Sequence, residues 1–278
     1  MAISNFIPTV WSENLYTAMD AEYIAVANCN RDFEGEILHK GSVVKICGVG
    51  EVTLGDYTKD TDMSAPQALS DTVRELKIDR AKYFNFQIDD IDKVQCTPKL
   101  MDAAVKNAAA TLVHEADEYV FKLYSKATQT VTAEDVNVDN VLDYILEARQ
   151  KLMEEGNVTD ASEVVLEISP AIASLIYKAK LLIVKDNADM METGYIGSLY
   201  GCKIFVSNNI FKENTTDKKY HKCFMRTKRA IAFAEQLSEI DAYRPEKRFA
   251  DAVKGLHLYG ADVIYPNEFV VLNLGVAK

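Results

Sequence analysis

Beyond Pro98 the chain runs to about Thr128 without a glycine or a proline, and that unbroken stretch limits its possible folds more than any other feature. From Thr97 it reads TPKLMDAAVKNAAATLVHEADEYVFKLYSKAT. Thr97 is a good N-cap, and Pro98 suits the first helical position, where its missing N–H costs nothing. Apolar residues recur at Met101, Val105, Ala108, Leu112, Ala116, Tyr119, Leu123 and Ala127, the spacing of one helical face. Such a helix would be about 45 Å long. Its alanine-rich stripe lets another element approach closely, so it reads as a mechanical spine and not as the floor of a pocket.

The segments before the helix are less self-sufficient. Residues 1–32 include a short helical pattern at Val10–Asp20, then the polar run NCNRDFEG at 28–35, and read as an arm too polar and short to hold its own core. Residues 33–79 carry short strand signals at Val43–Cys47 and Glu51–Leu54, a polar tip at Gly55–Ser70 and a returning strand at Thr72–Ile78. A polar two-stranded ribbon is marginal in isolation, and its edges invite pairing. It makes sense when a neighbouring molecule covers it. Tyr83–Ile91 alternates as a half-buried strand and leads into the helix.

After a polar connection at Val131–Asn140, a second helix is expected over Val141–Glu154, with Asp139 or Asn140 as its cap and Gly156 ending it. Val164–Ile168 reads as a buried strand, and Ser169-Pro170 starts a helix through Lys180. A loop at Lys185–Tyr200, a strand at Lys203–Ser207 and an irregular stretch at Asn208–Tyr220 follow. The remaining strands are expected at Ala230–Ala234, Leu237–Tyr243, Phe249–Tyr259, Ala261–Ile264 and Phe269–Leu274. Strands and helices mix without βαβ regularity, which gives an α+β class.

Composition narrows the function. At 278 residues the chain is long enough for one large domain or two small ones. The net charge of −11 argues against a surface built to clamp nucleic acid. No apolar run reaches membrane length, and MAISNFIPTVWSENL is no secretory leader, so a cytoplasmic protein without membrane contact is expected. The five cysteines, Cys29, Cys47, Cys96, Cys202 and Cys223, have no C-x-x-C spacing and read as small buried hydrophobes.

Catalytic and metal motifs fail on inspection. His114-Glu115 lacks the second histidine of H-E-x-x-H, since position 118 is Glu. Asp89, Asp90 and Asp92 have the chemistry of a Mg²⁺ site, but carboxylates before a helix start are favoured by its dipole, and that reading is preferred. Gly48-Val-Gly50 is no dinucleotide fingerprint. The basic groups at Arg226–Arg229 and Arg244–Arg248 lack interleaved aromatics and read as ion-pairing or interface patches. No catalytic residue, cofactor or metal ligand is expected.

Taken whole, the chain resembles the major capsid proteins of tailed bacteriophages, the Hong Kong 97-type fold. FIPTVWSENLYTAMD, NRDFEGEI, KYFNFQIDDIDKVQ and ASEVVLEISPAIASLI carry part of the likeness. The most specific part is Gly197, Gly201 and Ser207-Asn208-Asn209, followed by Tyr243-Arg244-Pro245-Glu246, Arg248-Phe249, Asp251, Val253, Gly255 and Tyr259-Gly260. The resemblance implies an N-terminal arm (1–32), an extended β-hairpin loop lying over a neighbour (33–79), a peripheral domain with the spine helix (80–132), an axial domain (133–234) and return strands of the peripheral domain (235–278). It implies a non-enzymatic subunit that self-assembles into pentamers and hexamers of an icosahedral shell around double-stranded DNA, in the host cytoplasm and then the virion. A separate scaffolding protein, a portal protein and a decoration protein are the implied partners. An acidic wall suits a container that should not grip the packed polyanion. Arg31, Glu34, Tyr57, Lys59, Arg244, Glu246 and Arg248 are the candidate subunit-interface residues. An encapsulin nanocompartment of the same fold is the near alternative, and a soluble enzyme with an unrecognised site the distant one.

Overall fold

The computed structural model describes residues 15, 18–19, 22–33, 42–49, 71–89, 100–179, 195–247 and 249–277. In chain order the strands are β1 (Val43–Val49), β2 (Asp71–Lys77), β3 (Arg80–Asp89), β4 (Gln129–Ala133), β5 (Val164–Ile168), β6 (Tyr195–Leu199), β7 (Cys202–Val206), β8 (Lys212–Asn214), β9 (Lys218–Thr227), β10 (Ile231–Tyr243), β11 (Ala250–Val263) and β12 (Phe269–Ala277). The α-helices bounded among the described residues are α1 (Leu100–Phe121), α2 (Val141–Glu154) and α3 (Pro170–Lys178). Three sheets result: the ribbon β1–β2, a three-stranded sheet in the order β10-β11-β3, and a seven-stranded sheet running β4-β12-β9-β5-β7-β6 with β8 on β9. The large sheet is mixed, since β12 pairs β4 and β5 pairs β7 in parallel while the other pairs are antiparallel. The class is α+β.

The spine helix is present but shorter than its sequence suggests. The described helix has 22 residues, about 33 Å, and its last turn tightens into a 3-10 segment, Lys122–Lys126. The Thr97 and Pro98 caps lie outside the described residues. Leu112, Ala116 and Leu123 are buried as the spacing requires, whereas Ala108, Tyr119 and Ala127 are only half-buried. The buried face is centred on Ala109, Leu112, Val113, Ala116 and Val120, and it contains a carboxylate, Asp117.

Other elements follow local chemistry. Ser169 caps α3 by accepting the Ile172 N–H, with Pro170 behind it. Asn140 precedes α2 but does not cap it: its side chain accepts the Asn137 N–H instead. The left-handed residue after α2 is Asn157 (φ 51°), not Gly156. Gly156 is needed for space, because a Cβ there would lie 2.5 Å from the Asn267 carbonyl oxygen.

Three stretches depart from the sequence reading. Residues 129–133 form β4 with alternating burial, although they read as the start of a polar connection. The irregular stretch at 208–220 holds β8 and the start of β9. The separate strands expected within 230–243 and 249–264 are two long antiparallel strands, β10 and β11, with a bulge between Ser238 and Asp241. One core cluster unites α1, α2, the seven-stranded sheet and the inner face of the three-stranded sheet. A smaller one lies under the ribbon.

Candidate assembly surfaces and the buried centre beneath them

The described part of the N-terminal segment is no free arm. Leu15, Met19, Tyr23, Ala25, Val26 and Cys29 are all buried in the main core, and burying an apolar side chain of this size is worth about 1.5–3 kcal/mol. Residues 22–33 form a strap wedged between α1 and both larger sheets. On α1, the Asp117 carboxylate accepts the backbone N–H groups of Ile24, Ala25 and Val26 at 3.1–3.2 Å. From the large sheet, Arg226 of β9 binds Glu167 of β5 through two nitrogens, at 2.9 and 3.0 Å. The same guanidinium donates to the carbonyls of Ala25 and Asn28, and Asn28 donates to Glu167 at 3.2 Å. On the three-stranded sheet, Asn30 pairs in parallel with Ala232. There Glu235 accepts from the Tyr23 hydroxyl at 2.6 Å and from Arg31 at 2.8 Å, with His257 Nε2 at 2.9 Å.

The electrostatics fit a structural centre. Burial pushes the Cys29 thiol up to about 11, and burial with the Glu235 carboxylate pushes the Tyr23 hydroxyl well above its ordinary value. Burial also pushes Glu167 up, against the pull of Arg226. The polar run NCNRD hid this role. Its polar groups face partners supplied by strands some two hundred residues later, which no local pattern announces.

The ribbon has a root inside the chain. Val44, Leu76 and Ile78 bury against Ala232, Ala234, Leu258 and Ile264 on the outer face of the three-stranded sheet. The polar ribbon is thus anchored within the subunit at its base, where these residues project inward. Gly260 makes the crossing possible: a Cβ there would lie 2.2 Å from the Lys77 carbonyl oxygen. The strand signal at Glu51–Leu54 and the tip at 55–70 lie outside the described residues.

Beyond the ribbon root, large side chains of the three-stranded sheet reach solvent. Tyr83 is 80% exposed and Phe249, in the β10–β11 turn, 81%. Tyr243 donates to Asn85 at 3.2 Å, with the Lys254 ammonium over its ring.

Of the seven candidate interface residues, Arg244 and Glu246 are exposed in the β10–β11 turn. Arg31 points inward to Glu235 and has a place in the strap. Glu34, Tyr57, Lys59 and Arg248 lie outside the described residues. The basic group at 226–229 is an ion-pairing group in part: Arg226 is wholly buried and Arg229 pairs with Glu268 at 2.7 Å, while Lys228 is exposed.

Among the described residues no three His, Cys, Asp or Glu side chains gather as a metal site, and Asp90, Asp92 and the Asp89 side chain lie outside them. His114 bonds Asn209 at 2.7 Å and Glu115 pairs with Lys82 at 2.8 Å. Cys29, Cys202 and Cys223 are buried free thiols. No described helix is long and apolar enough to cross a membrane.

No protein-family model and no curated protein matches the chain. Solved structures do. The chain is 27% identical to a chain from Mycobacterium phage Che8, with a TM-score of 0.69 and 91% of each chain covered. It is 13% identical to the capsid structure of the cyanophage P-SCSP1u, at a TM-score of 0.66, covering 85% of this chain and 84% of that one. Against a virus-like particle from Pyrococcus furiosus the coverage is 98% and 100%, but identity falls to 12% and the TM-score to 0.55.

Proposed function

We infer that this chain, which has the α+β fold of phage capsid proteins, is the major capsid protein of a tailed bacteriophage, a structural subunit that self-assembles into a shell. The observation that carries this is the likeness to the Che8 phage chain, 27% identical over 91% of both chains. The exposed Tyr83 and Phe249 and the polar ribbon β1–β2 support it, since each is a surface that a neighbouring copy can cover.

The finer reading is a Hong Kong 97-type subunit without enzymatic activity. In it the ribbon 33–79 lies over a neighbour, residues 80–132 and 235–278 make the peripheral domain, and residues 133–234 make the axial domain. Glu34, Tyr57, Lys59, Arg244, Glu246 and Arg248 meet neighbours, and Arg31 acts within the subunit. Shells form in the host cytoplasm with a scaffolding protein and a portal, take decoration proteins, and enclose double-stranded DNA in the virion. The nanocompartment alternative is disfavoured by the weaker fit to the Pyrococcus furiosus particle.

The test is negative-stain microscopy of the purified chain over a range of salt and pH. Closed shells or hexamer and pentamer rings are expected. A monodisperse monomer under every condition overturns the reading, and shells isolated with protein cargo in place of DNA favour the nanocompartment.

A further inference from the structure

Three buried carboxylates face the strap: Asp117 from α1, Glu167 from β5 and Glu235 from β10. Two guanidinium groups answer them, and both are already committed. Arg226 binds Glu167, and Arg31 binds Glu235, which also meets His257. Among the described residues no cation pairs with Asp117. Its carboxylate instead takes three successive main-chain N–H groups, of Ile24, Ala25 and Val26, at the turn where the strap enters the core.

We propose that Asp117 is a proton-operated latch on the strap, closing it firmly when the carboxyl is neutral and loosening it when the carboxyl ionises. An ionised carboxylate buried without a counter-charge costs free energy that three amide donors offset only in part. The neutral acid keeps Oδ1 as acceptor for the Ala25 and Val26 N–H groups and gives up only the longer Ile24 bond at Oδ2.

The surroundings agree. Burial pushes the Asp117 carboxyl from its ordinary 3.8 up to about 7; the backbone N–H bonds oppose this, and the Glu167 charge adds to it. The charged and titratable groups around it are Tyr23, Cys29 and Arg31 on the strap, Glu167 on β5, Arg226 on β9, Glu235 on β10 and His257 on β11. Tyr23 and Cys29 stay protonated far above neutrality, and the arginines stay charged. Burial also pushes the Glu167 carboxyl up, so Glu167 needs its own control, as does His257 beside Glu235.

The sign follows from linkage. The closed value lies above the open one, so closed straps hold a proton that open straps release. Strap opening therefore rises about tenfold for each pH unit between about 4 and 7 and levels off above. Strap stability is greatest on the acid side of this window.

The experiment is hydrogen exchange of the Ile24–Val26 amides in the full-length chain, corrected for intrinsic exchange, from pH 5 to pH 8.5. Opening in the wild type should rise about fiftyfold from pH 5 to pH 7 and level off within about another twofold by pH 8.5. Asp117→Asn should give a flat profile, and His257→Gln and Glu167→Gln should each leave the wild-type slope. A flat wild-type profile overturns the latch, as does a slope that survives in Asp117→Asn or vanishes in His257→Gln or Glu167→Gln. Should Asp117→Asn not fold, infrared spectroscopy of the wild type and of Glu167→Gln decides: a protonated, buried carboxyl band present at pH 6, lost by pH 8.5 and kept in Glu167→Gln is expected, and no such band at pH 6, or its loss in Glu167→Gln, overturns the proposal.

Discussion

Arg226 is the largest of the wholly buried side chains, and its position explains why a charged residue can be structural. The guanidinium satisfies Glu167 and two strap carbonyls at once. Arg226→Met should therefore cost about 3–5 kcal/mol, because it leaves a buried carboxylate without its cation. Adding Glu167→Leu should recover a large part of that loss. Denaturant midpoints of the single and double variants check both, and a single-variant loss under 1 kcal/mol sinks the idea. Arg226 could not be read from the sequence. Cys223–Thr227 is buried on both faces, so β9 shows no alternation against which a charge stands out, and the RTKR run looks like surface. Asp117 was more legible: it falls on the same helical face as Val113, Ala116 and Val120, and a carboxylate in an apolar stripe asks for a partner.

Among the elements, α1 answers most directly to its sequence, though its stripe is rotated from the expected line. Ala116 is fully buried beside the strap and the three-stranded sheet, with Tyr119 packed edge-on to Tyr259 at 5.5 Å. Ala116→Leu should overpack this contact and cost about 1–3 kcal/mol. The expected result is a lower melting temperature, and misshapen or open particles by microscopy, because a tilted spine changes the angle a subunit offers its neighbours. Normal particles with an unchanged melt would place this face elsewhere. Elements with local signals, such as Ser169-Pro170 opening α3 and the alternation of β3, are readable in advance. The joining of β10 and β11 into one hairpin is not, since Gly255 and Gly260 look like punctuation. Gly260 in fact sits mid-strand because the ribbon root passes over it.

For the whole molecule, the ribbon separates folding from assembly. Val49 and Asp71 are directly paired, so an Asn-Gly turn can replace residues 50–70 without disturbing the root. The shortened chain should melt like the wild type yet fail to build closed shells; circular dichroism and size-exclusion chromatography read the two outcomes separately. Loss of the fold together with assembly would count against a ribbon completed by neighbours. The strap has a consequence in time as well as in space. Tyr23 and its acceptor Glu235 are 212 residues apart, and ribosomes add roughly 5–20 residues per second. The strap must therefore wait roughly ten to forty seconds after its own synthesis before its last partners exist. Through the later part of that interval Tyr23 still lacks its acceptor, so slower translation lengthens the time for which this end of the strap is held without its last partner.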